Sequence, residues 1–441
     1  MSAPNNAASW FAQNATPLEP DVDGESDDAD LEPLSEILAG VRLVGLGEAT
    51  HGTKEFIDAR FRMLRHLVTR LDFNVVAIEA SFSAAQRMNE YIVNGAGDLE
   101  ESLTFLGSVM WDTYDFKDVL LWLRRHNEVV GEDRKVRFWG LDIYNTRPGR
   151  NKVLAYLGRA APELVSTAAQ TFDEVEVGEA KGFLGAYRLI SPDLAARVED
   201  LTRTIGRARA ESNGPDSDDE YEDTLMQTRV VSQWLKANLP HDSQSGKRTH
   251  GLNIWARSRY MADNLAALMA HAGRPSKVMI WAHNLHVRVG LWDPNNGILV
   301  ANMGHDLRER WGHEYYALAF ELNQGRYLAR TWLVEDLALG DFLIGEVPVA
   351  PEGSLPWHLS QTQLKGLMVD LRSTAKPAEV TTWLLQPQLA HDIGWARGDP
   401  PLLYSSLPIG AVYDGLVFFE TTAATTPTPN AVQTVLNRTA N

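Results

Sequence analysis

Cysteine is absent from the 441-residue chain. Disulfide bonds, cysteine nucleophiles, cysteine-bound zinc and iron–sulfur clusters are therefore excluded. No apolar run reaches the roughly 18 residues that a transmembrane helix needs. The N-terminus also lacks the basic and apolar regions of a secretory signal. From these absences we expect a cytoplasmic protein without a membrane partner.

Several catalytic motifs are missing as well. The sequence has no Gly-x-Ser-x-Gly nucleophile elbow, no complete Walker A loop and no His-Glu-x-x-His zinc helix. A serine-dependent mechanism is therefore unsupported. If the protein is a hydrolase, the sequence favours attack by a water molecule that a general base activates.

Basic residues are scarce relative to acidic ones, and the formal net charge is −17. Such a charge disfavours binding to nucleic acid or to an anionic membrane surface, so the expected partner is a small molecule. The imbalance is strongest at the N-terminus, where nine acidic residues precede Arg42, the first basic residue. Residues 1–32 are predicted to be an acidic, flexible segment.

Apolar residues make up 44% of the chain, which is enough for a large buried core. Helical patterns follow at least the first three of four predicted buried strands, and the clearest helix is Thr53–Leu71. This alternation predicts an α/β fold with a mostly parallel central sheet flanked by helices. The four strands are Val41–Gly47, Asn74–Glu79, Lys135–Leu141 and Ser276–Ala282.

The chain divides by pattern into a core and an insertion. Residues 33–150 and 274–422 are predicted to form the α/β catalytic core. Residues 151–273 are helical in pattern and predict an insertion that forms a cap or side lobe. Helices that merely cover one face of the sheet are an equal alternative for this region. Residues 423–441, rich in Thr, Ala and Pro, predict a loosely ordered tail.

Three further strands are predicted in the second half of the core. Tyr315–Leu322 and Arg326–Val334 predict a hairpin around Asn323-Gln324-Gly325, because turn-forming residues separate two apolar runs. Tyr413–Glu420 predicts a late strand. All three would extend the sheet.

Ionisable residues follow each of the four core strands. In open α/β sheets, ligands bind beyond the carboxyl ends of the strands, so these residues predict one shared cleft. They are Glu48 and His51 after the first strand, Glu79 at the end of the second, Asp142 after the third, and His283, Asn284 and His286 after the fourth.

Two residues of this set suggest chemistry more directly. His51 lies near the first turn of a helix, which disfavours imidazolium and suits a neutral base, whereas a neighbouring carboxylate would favour the charged form. Arg60 occupies the apolar stripe of the first helix. It either extends to the helix edge or pairs with Glu48 or Glu79 and points into the cleft.

Three other functions fit parts of the pattern. A metalloenzyme would use the glutamates and histidines of the strand ends as zinc or iron ligands, although no compact ligand motif is present. A dinucleotide-binding unit would use Gly45 and Gly47, but Thr50 replaces the third glycine and His51 crowds the phosphate site. A binding protein without catalysis would not need both His51 and Arg60.

The combination of motifs resembles the erythromycin esterase family from about residue 35 to about residue 420. The segments that carry the resemblance are Gly47-Glu48-Ala49-Thr50-His51-Gly52, Arg60, Ile78-Glu79-Ala80, Trp139-Gly140-Leu141-Asp142, Arg257-Ser258-Arg259-Tyr260-Met261-Ala262-Asp263-Asn264 and Trp281-Ala282-His283-Asn284-Leu285-His286-Val287. Ser258 departs from the pattern, since the family usually has Asp there. That departure puts any contact made at this position in doubt.

The resemblance implies an α/β esterase that opens the lactone ring of 14-membered macrolides and thereby confers antibiotic resistance. It places the general base on His51, its supporting carboxylates on Glu48 and Glu79, and an arginine on Arg60. The family's second and third histidines fall on His283 and His286.

From these roles we expect His51 to activate water, with no cofactor and no metal. Arg60 and either His283 or His286 would stabilise the oxyanion. The expected substrate-binding residues are Trp111, Tyr114, Asp142, Asn284, Arg257 and Arg259. The expected assembly is a monomer or homodimer.

Overall fold

The computed structural model describes residues 6–20, 28–106, 109–181, 186, 189–211, 218–239, 241–242, 248–249, 252–291, 300–333, 338–373, 376–394, 396–397 and 403–439. The strands are β1 Thr16–Pro17, β2 Leu43–Leu46, β3 Val75–Ser81, β4 Arg137–Asp142, β5 His241–Asp242, β6 Arg248–Thr249, β7 Val278–Trp281, β8 Tyr315–Leu333, β9 Ala338–Val347, β10 Gly366–Asp370, β11 Pro387–His391, β12 Ala396–Arg397, β13 Tyr404–Pro408 and β14 Gly415–Thr422.

The helices alternate with the core strands along the chain. They are α1 Asn6–Asn14, α2 Pro33–Ile37, α3 Lys54–Leu71, α4 Phe82–Asn94, α5 Leu99–Phe105, α6 Tyr114–Val129, α7 Arg147–Ala160, α8 Val165–Glu179, α9 Pro192–Glu211, α10 Asp218–Asn238, α11 Ile254–His271, α12 Asn284–Val287, α13 Met303–Trp311, α14 Leu355–Ser360, α15 Ala378–Leu384, α16 Ile409–Val412 and α17 Pro429–Thr439. Short 3-10 helices span Ala29–Leu31, Glu132–Arg134, Pro162–Leu164 and Gly312–Glu314.

One large sheet carries the site. Its strands lie in the order β1-β10-β14-β8-β2-β7-β3-β4. The pairs from β14 to β4 are all parallel, while β10 and β1 add an antiparallel edge. The four strands predicted to carry site residues (β2, β7, β3 and β4) are neighbours, so their carboxyl ends meet at one edge. The predicted α/β class with a mostly parallel sheet is confirmed.

The central strands are apolar throughout because both faces of the sheet are covered. Phe56 and Met63 of α3 belong to the core on one face, and Met261 and Leu265 of α11 belong to the core on the other. Helix α3 begins after Thr53, which is extended, and ends at Asp72 in the left-handed conformation. Strands buried on both sides read as continuous apolar runs rather than alternating ones.

The predicted hairpin around Asn323-Gln324-Gly325 is wrong. Strand β8 runs through these residues without a turn and forms its hairpin with β9 instead. The chain stays extended because Gly325 is paired on both sides, with Thr422 of β14 and with Val347 of β9. A Cβ at Gly325, whose φ is 142°, would lie 2.4 Å from the Thr422 carbonyl oxygen, so this glycine serves close strand packing. The predicted late strand is present as β14.

The described parts of both terminal segments contain buried residues; residues 21–27 of the predicted acidic segment lie outside the described residues. In the N-terminal segment, Trp10 and Phe11 of α1 are buried. Asp28 and Asp30 pair with Arg62 of α3, so part of the acidic run is docked by charge. Residues 428–439 lie largely in helix α17, where buried Ala431 and Val435 pack against Val109. The apolar face of α17 packs against the rest of the protein, although the residues before this helix are rich in Thr and Pro.

The region between β4 and β7 contains helices α7 to α11, as the sequence pattern predicted. Buried residues of α8, α9 and α10, among them Phe172, Val198 and Val231, form a core cluster separate from those on the two sheet faces. The role of this helical region as a cap stays a prediction. Across the described residues, no helix combines the length and the apolar character needed to cross a membrane.

Candidate active site

The loop from β2 to α3 brings a glutamate and a histidine to the sheet edge. A Cβ at Gly47 would lie 2.1 Å from the side-chain oxygen of Asn284, so only glycine lets the end of β2 pack against this neighbour. The β2–α3 loop itself is held by residues from the C-terminal part of the chain. Ile393 and Gly394 donate backbone hydrogen bonds to the Ala49 carbonyl at 2.9 and 3.0 Å. Glu48 and His51 therefore extend from a firmly held backbone.

Glu48 orients the His51 ring. The two side chains are joined between His51 Nδ1 and Glu48 Oε1 at 2.6 Å. Because an ionised carboxylate only accepts, Nδ1 carries the proton and Nε2 presents its lone pair. No described residue makes a hydrogen bond to His51 Nε2, and the His51 side chain is 9% exposed. This geometry leaves Nε2 as the atom able to accept a proton.

Arg60 pairs with Glu48, which was one of the two partners that the sequence suggested. Its Nη2 donates to Glu48 Oε2, and its Nε donates to the Phe56 carbonyl at 3.0 Å. The guanidinium carbon lies 4.2 Å from the centre of the Trp281 ring. The side chain is 0% exposed, so the guanidinium lies behind Glu48 and not in an open cleft. Its direct role here is to hold Glu48.

The charges of this cluster are coupled. Burial alone would raise the pKa of Glu48, but the Arg60 guanidinium and His51 outweigh it and hold that pKa below its usual value. Burial would likewise lower the pKa of His51, yet the Glu48 carboxylate outweighs it and raises that pKa above the ordinary histidine value. The upward shift is the direction that a neighbouring carboxylate was expected to give.

Glu79 belongs to a second buried network that Arg257 organises. Arg257 Nη2 donates to Glu79 Oε1 at 2.7 Å, and its Nε donates to Asp142 Oδ1 at 2.9 Å. The second oxygen of Glu79 accepts the backbone N–H of His283 at 2.9 Å. Burial would raise the pKa of Glu79, but His286 and Arg257 hold it well below the usual glutamate value. Glu79 therefore fixes the start of the His283 loop.

His286 is buried within this second network. Its Nε2 lies 3.2 Å from Glu79 Oε1, and its Nδ1 lies 2.8 Å from the Ser258 hydroxyl. The Ser258 hydroxyl also accepts the backbone N–H of Met303 at 2.9 Å, which holds it beside His286 Nδ1. The departure from the family pattern at Ser258 thus fixes the orientation of His286. Both ring nitrogens are occupied by protein groups.

His283 is the histidine that faces His51. The two ring centres are 5.1 Å apart, and the ring planes are tilted by 52°. His283 Nε2 lies 3.2 Å from the Ala49 carbonyl, and Nδ1 accepts the Leu285 N–H at 3.2 Å. Burial lowers the pKa of His283 and outweighs the opposing influence of Asp392. Of the two histidines left open by the sequence, His283 is thus the one beside His51.

Four of the predicted substrate-binding residues are held by contacts within the protein itself. Asn284 exchanges hydrogen bonds of 2.9 and 3.1 Å with the Phe320 backbone, which occupies its amide. Trp111 is 3% exposed and packs edge-on against Trp281, because the chain before α6 turns into the core. Asp142 and Arg257 form a buried ion pair with each other, and their contact with substrate stays a prediction.

Arg259 and Tyr114 are the most exposed of the predicted substrate-binding residues. Arg259 lies two positions after Arg257 on α11, so their side chains leave the helix about 200° apart. Arg259 is 56% exposed and pairs with Asp306 at 2.9 Å. Its contact with substrate stays a prediction. Tyr114 is 48% exposed at the first turn of α6, and its contact with substrate stays a prediction.

The same contacts bear on metal binding. Among the residues that the structure describes, no group of three or more His, Asp or Glu side chains has a geometry that could hold a metal ion. Glu48 and Glu79 instead direct their oxygens to Arg60 and Arg257. The two carboxylates predicted to support His51 are thus each bound to an arginine, and only Glu48 contacts the His51 ring.

Sequence comparison identifies the protein's family. The model of the erythromycin esterase family matches residues 68–422, most of the chain. The chain belongs to the erythromycin esterase family. It is therefore an esterase-like hydrolase with a small-molecule substrate. The matched range begins after the segment that carries Glu48, His51 and Arg60.

Relatives within and near the erythromycin esterase family are distant in sequence. An Escherichia coli protein described as erythromycin esterase type II is 26% identical over 68% of this chain and 73% of its own length. A putative hydrolase of Bacillus subtilis (strain 168) is 22% identical over 93% of this chain and 90% of its own. A solved erythromycin esterase variant in its open conformation matches with a TM-score of 0.68 at 18% identity, covering 95% of this chain and 98% of that one. This structural likeness shows a common fold.

Proposed function

We propose that this protein hydrolyses the lactone ring of a macrolide of the 14-membered, erythromycin-like kind, with His51 as the general base. The observation that carries the proposal is the Glu48–His51 contact of 2.6 Å at Nδ1, which leaves Nε2 of His51 able to accept a proton. Family membership supplies the substrate class as an expectation. In a cell, such an activity would confer macrolide resistance.

The proposed reaction adds one water across the ester. His51 Nε2 takes a proton from water as the water oxygen forms a bond to the carbonyl carbon. The tetrahedral intermediate then collapses, the bond to the alkoxide breaks, and a proton is delivered to the alkoxide. General-base catalysis of this kind contributes about 10²–10⁴-fold.

The proposal assigns the supporting roles to fewer residues than the sequence suggested. Arg60 supports His51 through Glu48, because its guanidinium is fully buried behind that carboxylate. His283, whose ring centre lies 5.1 Å from that of His51, is the better placed of the two remaining histidines to stabilise the oxyanion or to protonate the alkoxide. His286 and Glu79 hold the loop from which His283 extends.

A different ester is the second candidate substrate. The identities of 22% and 26% to a putative hydrolase and to an erythromycin esterase leave room for a change in substrate at an unchanged catalytic centre. In that case the exposed surface near Tyr114 would bind a different ester. The proposed chemistry at His51 would be the same.

The test is mass spectrometry of macrolides with 14- to 16-membered rings after incubation with the purified protein. The expected product carries the mass of one added water, and it disappears with His51→Ala. His313→Ala, which removes an exposed histidine outside the site, is the matched control and should leave the product unchanged.

If no macrolide is hydrolysed, a panel of other lactones and carboxylic esters is tested next. Hydrolysis of one of them would indicate a different substrate, whereas hydrolysis of none would contradict the proposed mechanism. Hydrolysis that survives His51→Ala would overturn the general-base assignment. Activity lost in chelator and restored by added zinc or iron would favour the metalloenzyme alternative. A covalent acyl-enzyme detected with labelled water would contradict direct attack by water.

A further inference from the structure

A carboxylate from the C-terminal part of the chain reaches the histidine cluster. Asp392 follows β11 directly, and β11 pairs antiparallel with β13 from Pro387 opposite Pro408 to His391 opposite Tyr404. Asp392 Oδ1 lies 3.5 Å from Nδ1 of His283, and its side chain is 13% exposed. The two residues are more than one hundred positions apart in the chain, and the sequence pattern gave no sign of their contact.

The Asp392 side chain is held in place by residues at the start of β13, the strand that pairs with β11. Its second oxygen, Oδ2, accepts a hydrogen bond of 2.8 Å from the Ser405 hydroxyl. Its backbone N–H donates to the Leu403 carbonyl at 3.1 Å. A carboxylate restrained at both the backbone and one oxygen keeps its free oxygen in a fixed direction, which here is toward His283.

The residues on either side of Asp392 are anchored to the sheet. His391 is 0% exposed, and its ring Nδ1 and its backbone N–H both donate to the Glu321 carboxylate, at 2.5 and 2.9 Å. On the other side, Ile393 and Gly394 bind the Ala49 carbonyl. Ala49 lies between Glu48 and His51, so this single segment contacts the His51 loop as well as His283.

We propose that Asp392 is a positioning residue for His283, which holds the Nδ1 side of the ring and balances the positive charge that His283 acquires during the reaction. The site would then contain two opposed pairs, Glu48 with His51 and Asp392 with His283, each with the carboxylate at Nδ1. The inference rests on the proposed function and deepens it, because it assigns the second proton transfer to His283.

The proton balance follows from the two ring nitrogens. In the neutral ring, Nε2 carries the proton toward the Ala49 carbonyl and Nδ1 accepts from Leu285. A proton taken up from solvent at Nδ1 exchanges the Leu285 contact for the Asp392 carboxylate, and His51 returns to solvent the proton that it took from water, so the sum is one water added. The resulting imidazolium gives its Nε2 proton to the departing alkoxide and remains as the neutral Nδ1-protonated ring, bound to Asp392.

Among the described residues, Asp392 is one of four titratable groups that act most strongly on His283, and it approaches from the segment after β11. The others are His51, Glu79 and His286. Burial lowers the pKa of His283, and the two histidines lower it further, whereas Asp392 and Glu79 raise it. Glu79 is already bound to Arg257 and to the His283 backbone. Asp392 is therefore the carboxylate at the ring edge where a proton would be added.

The test is Asp392→Asn, followed by ¹⁵N NMR of the histidine side chains across pH. The His283 signals are assigned by their loss in His283→Gln. Without the carboxylate, the His283 pKa should fall by about one pH unit or more, as expected for a charge within about 4–6 Å. On the substrate identified for the protein, kcat should fall at least about tenfold with KM nearly constant, the pattern of a lost transition-state interaction. Asp392→Glu should restore part of both.

Asp370→Asn is the matched control, since it removes one negative charge from β10, away from the histidines, and should leave the His283 titration unchanged. If Asp392→Asn does not fold, Ser405→Ala keeps the charge but releases the carboxylate, and a smaller shift in the same direction is expected. A His283 titration equal to wild type in the variants would overturn the proposal. The NMR result needs no substrate, so a failure of macrolide hydrolysis is distinguishable from a failure of this inference.

Discussion

His51 and His283 face each other with ring centres 5.1 Å apart, and each turns its Nδ1 toward a different carboxylate. The contact with Glu48 is short at 2.6 Å, whereas the one with Asp392 is 3.5 Å. The surroundings displace the two pKa values in opposite directions, upward for His51 and downward for His283. Paired groups with separated pKa values are typical of sites that move protons.

The pH dependence of activity should report His51. A general base must be neutral, so kcat/KM should rise with pH through a midpoint above the ordinary histidine value of about 6.5, because Glu48 stabilises the imidazolium. Glu48→Gln removes that charge, so the midpoint should move to lower pH and kcat/KM should fall by about 10²–10⁴-fold. Rate profiles of both proteins from pH 5 to 10 give the comparison, and an unmoved midpoint would contradict the assignment.

Arg60 should matter more to stability than an exposed arginine. Arg60→Leu leaves the Glu48 carboxylate buried without its cation, and breaking a buried pair in this way costs about 3–5 kcal/mol. Arg42→Ala breaks the half-exposed pair with Glu314 and should cost at most about 1 kcal/mol. Urea unfolding at neutral pH measures the loss of stability in both variants. Equal losses would contradict a larger stabilising contribution from the buried Arg60–Glu48 pair.

Glu79 should make the protein sensitive to acid. Its folded pKa lies well below the ordinary value of about 4.3, so its stabilising contribution is complete above that value and is lost as pH falls through it toward the folded pKa. Glu79→Gln has no such titration. The variant should be less stable at neutral pH, and its free energy of unfolding should depend less steeply on pH between about 5 and 3. Parallel pH curves for the two proteins would argue against a depressed pKa.

Gly47 should tolerate no side chain. In Gly47→Ala the new Cβ would overlap the Asn284 side-chain oxygen and press on the Leu318 carbonyl, so we expect a loss of about 1–3 kcal/mol together with a loss of activity. Gly158→Ala is the matched control, because this glycine lies exposed in α7 with open space around its Cβ position. That substitution should instead stabilise the protein by about 1 kcal/mol. Thermal unfolding of both variants decides between these outcomes.

The sequence predicted well what short segments determine. The apolar runs that end at Gly47, Glu79, Leu141 and Ala282 all proved to contain core strands, because burial on both faces leaves a continuous apolar pattern. The parallel arrangement then placed the residues after these strands at one edge. The pairing of Arg60 with Glu48 was one of the alternatives that the sequence left open, and it was suggested by the cost of burying an unpaired guanidinium.

Long-range packing decided what the sequence could not predict. Trp111 and Asn284 are residue types that often line a substrate cleft. In the fold, however, Trp111 is buried in the core and Asn284 is hydrogen-bonded to the β8 backbone. Strand β8 passes through Asn323-Gln324-Gly325 because it has partners on both sides. Asp392 was missed because its place beside His283 depends on a hairpin whose docking no local pattern reveals.

The docking of that hairpin also has a kinetic consequence. Ile393 and Gly394 bind the carbonyl of Ala49 across most of the length of the chain. Contacts of such large sequence separation form late and slow folding, because the intervening chain must first be ordered. During synthesis, the loop that carries His51 leaves the ribosome long before the segment that completes its surroundings. The polypeptide should therefore acquire hydrolytic activity only in the last stage of its folding.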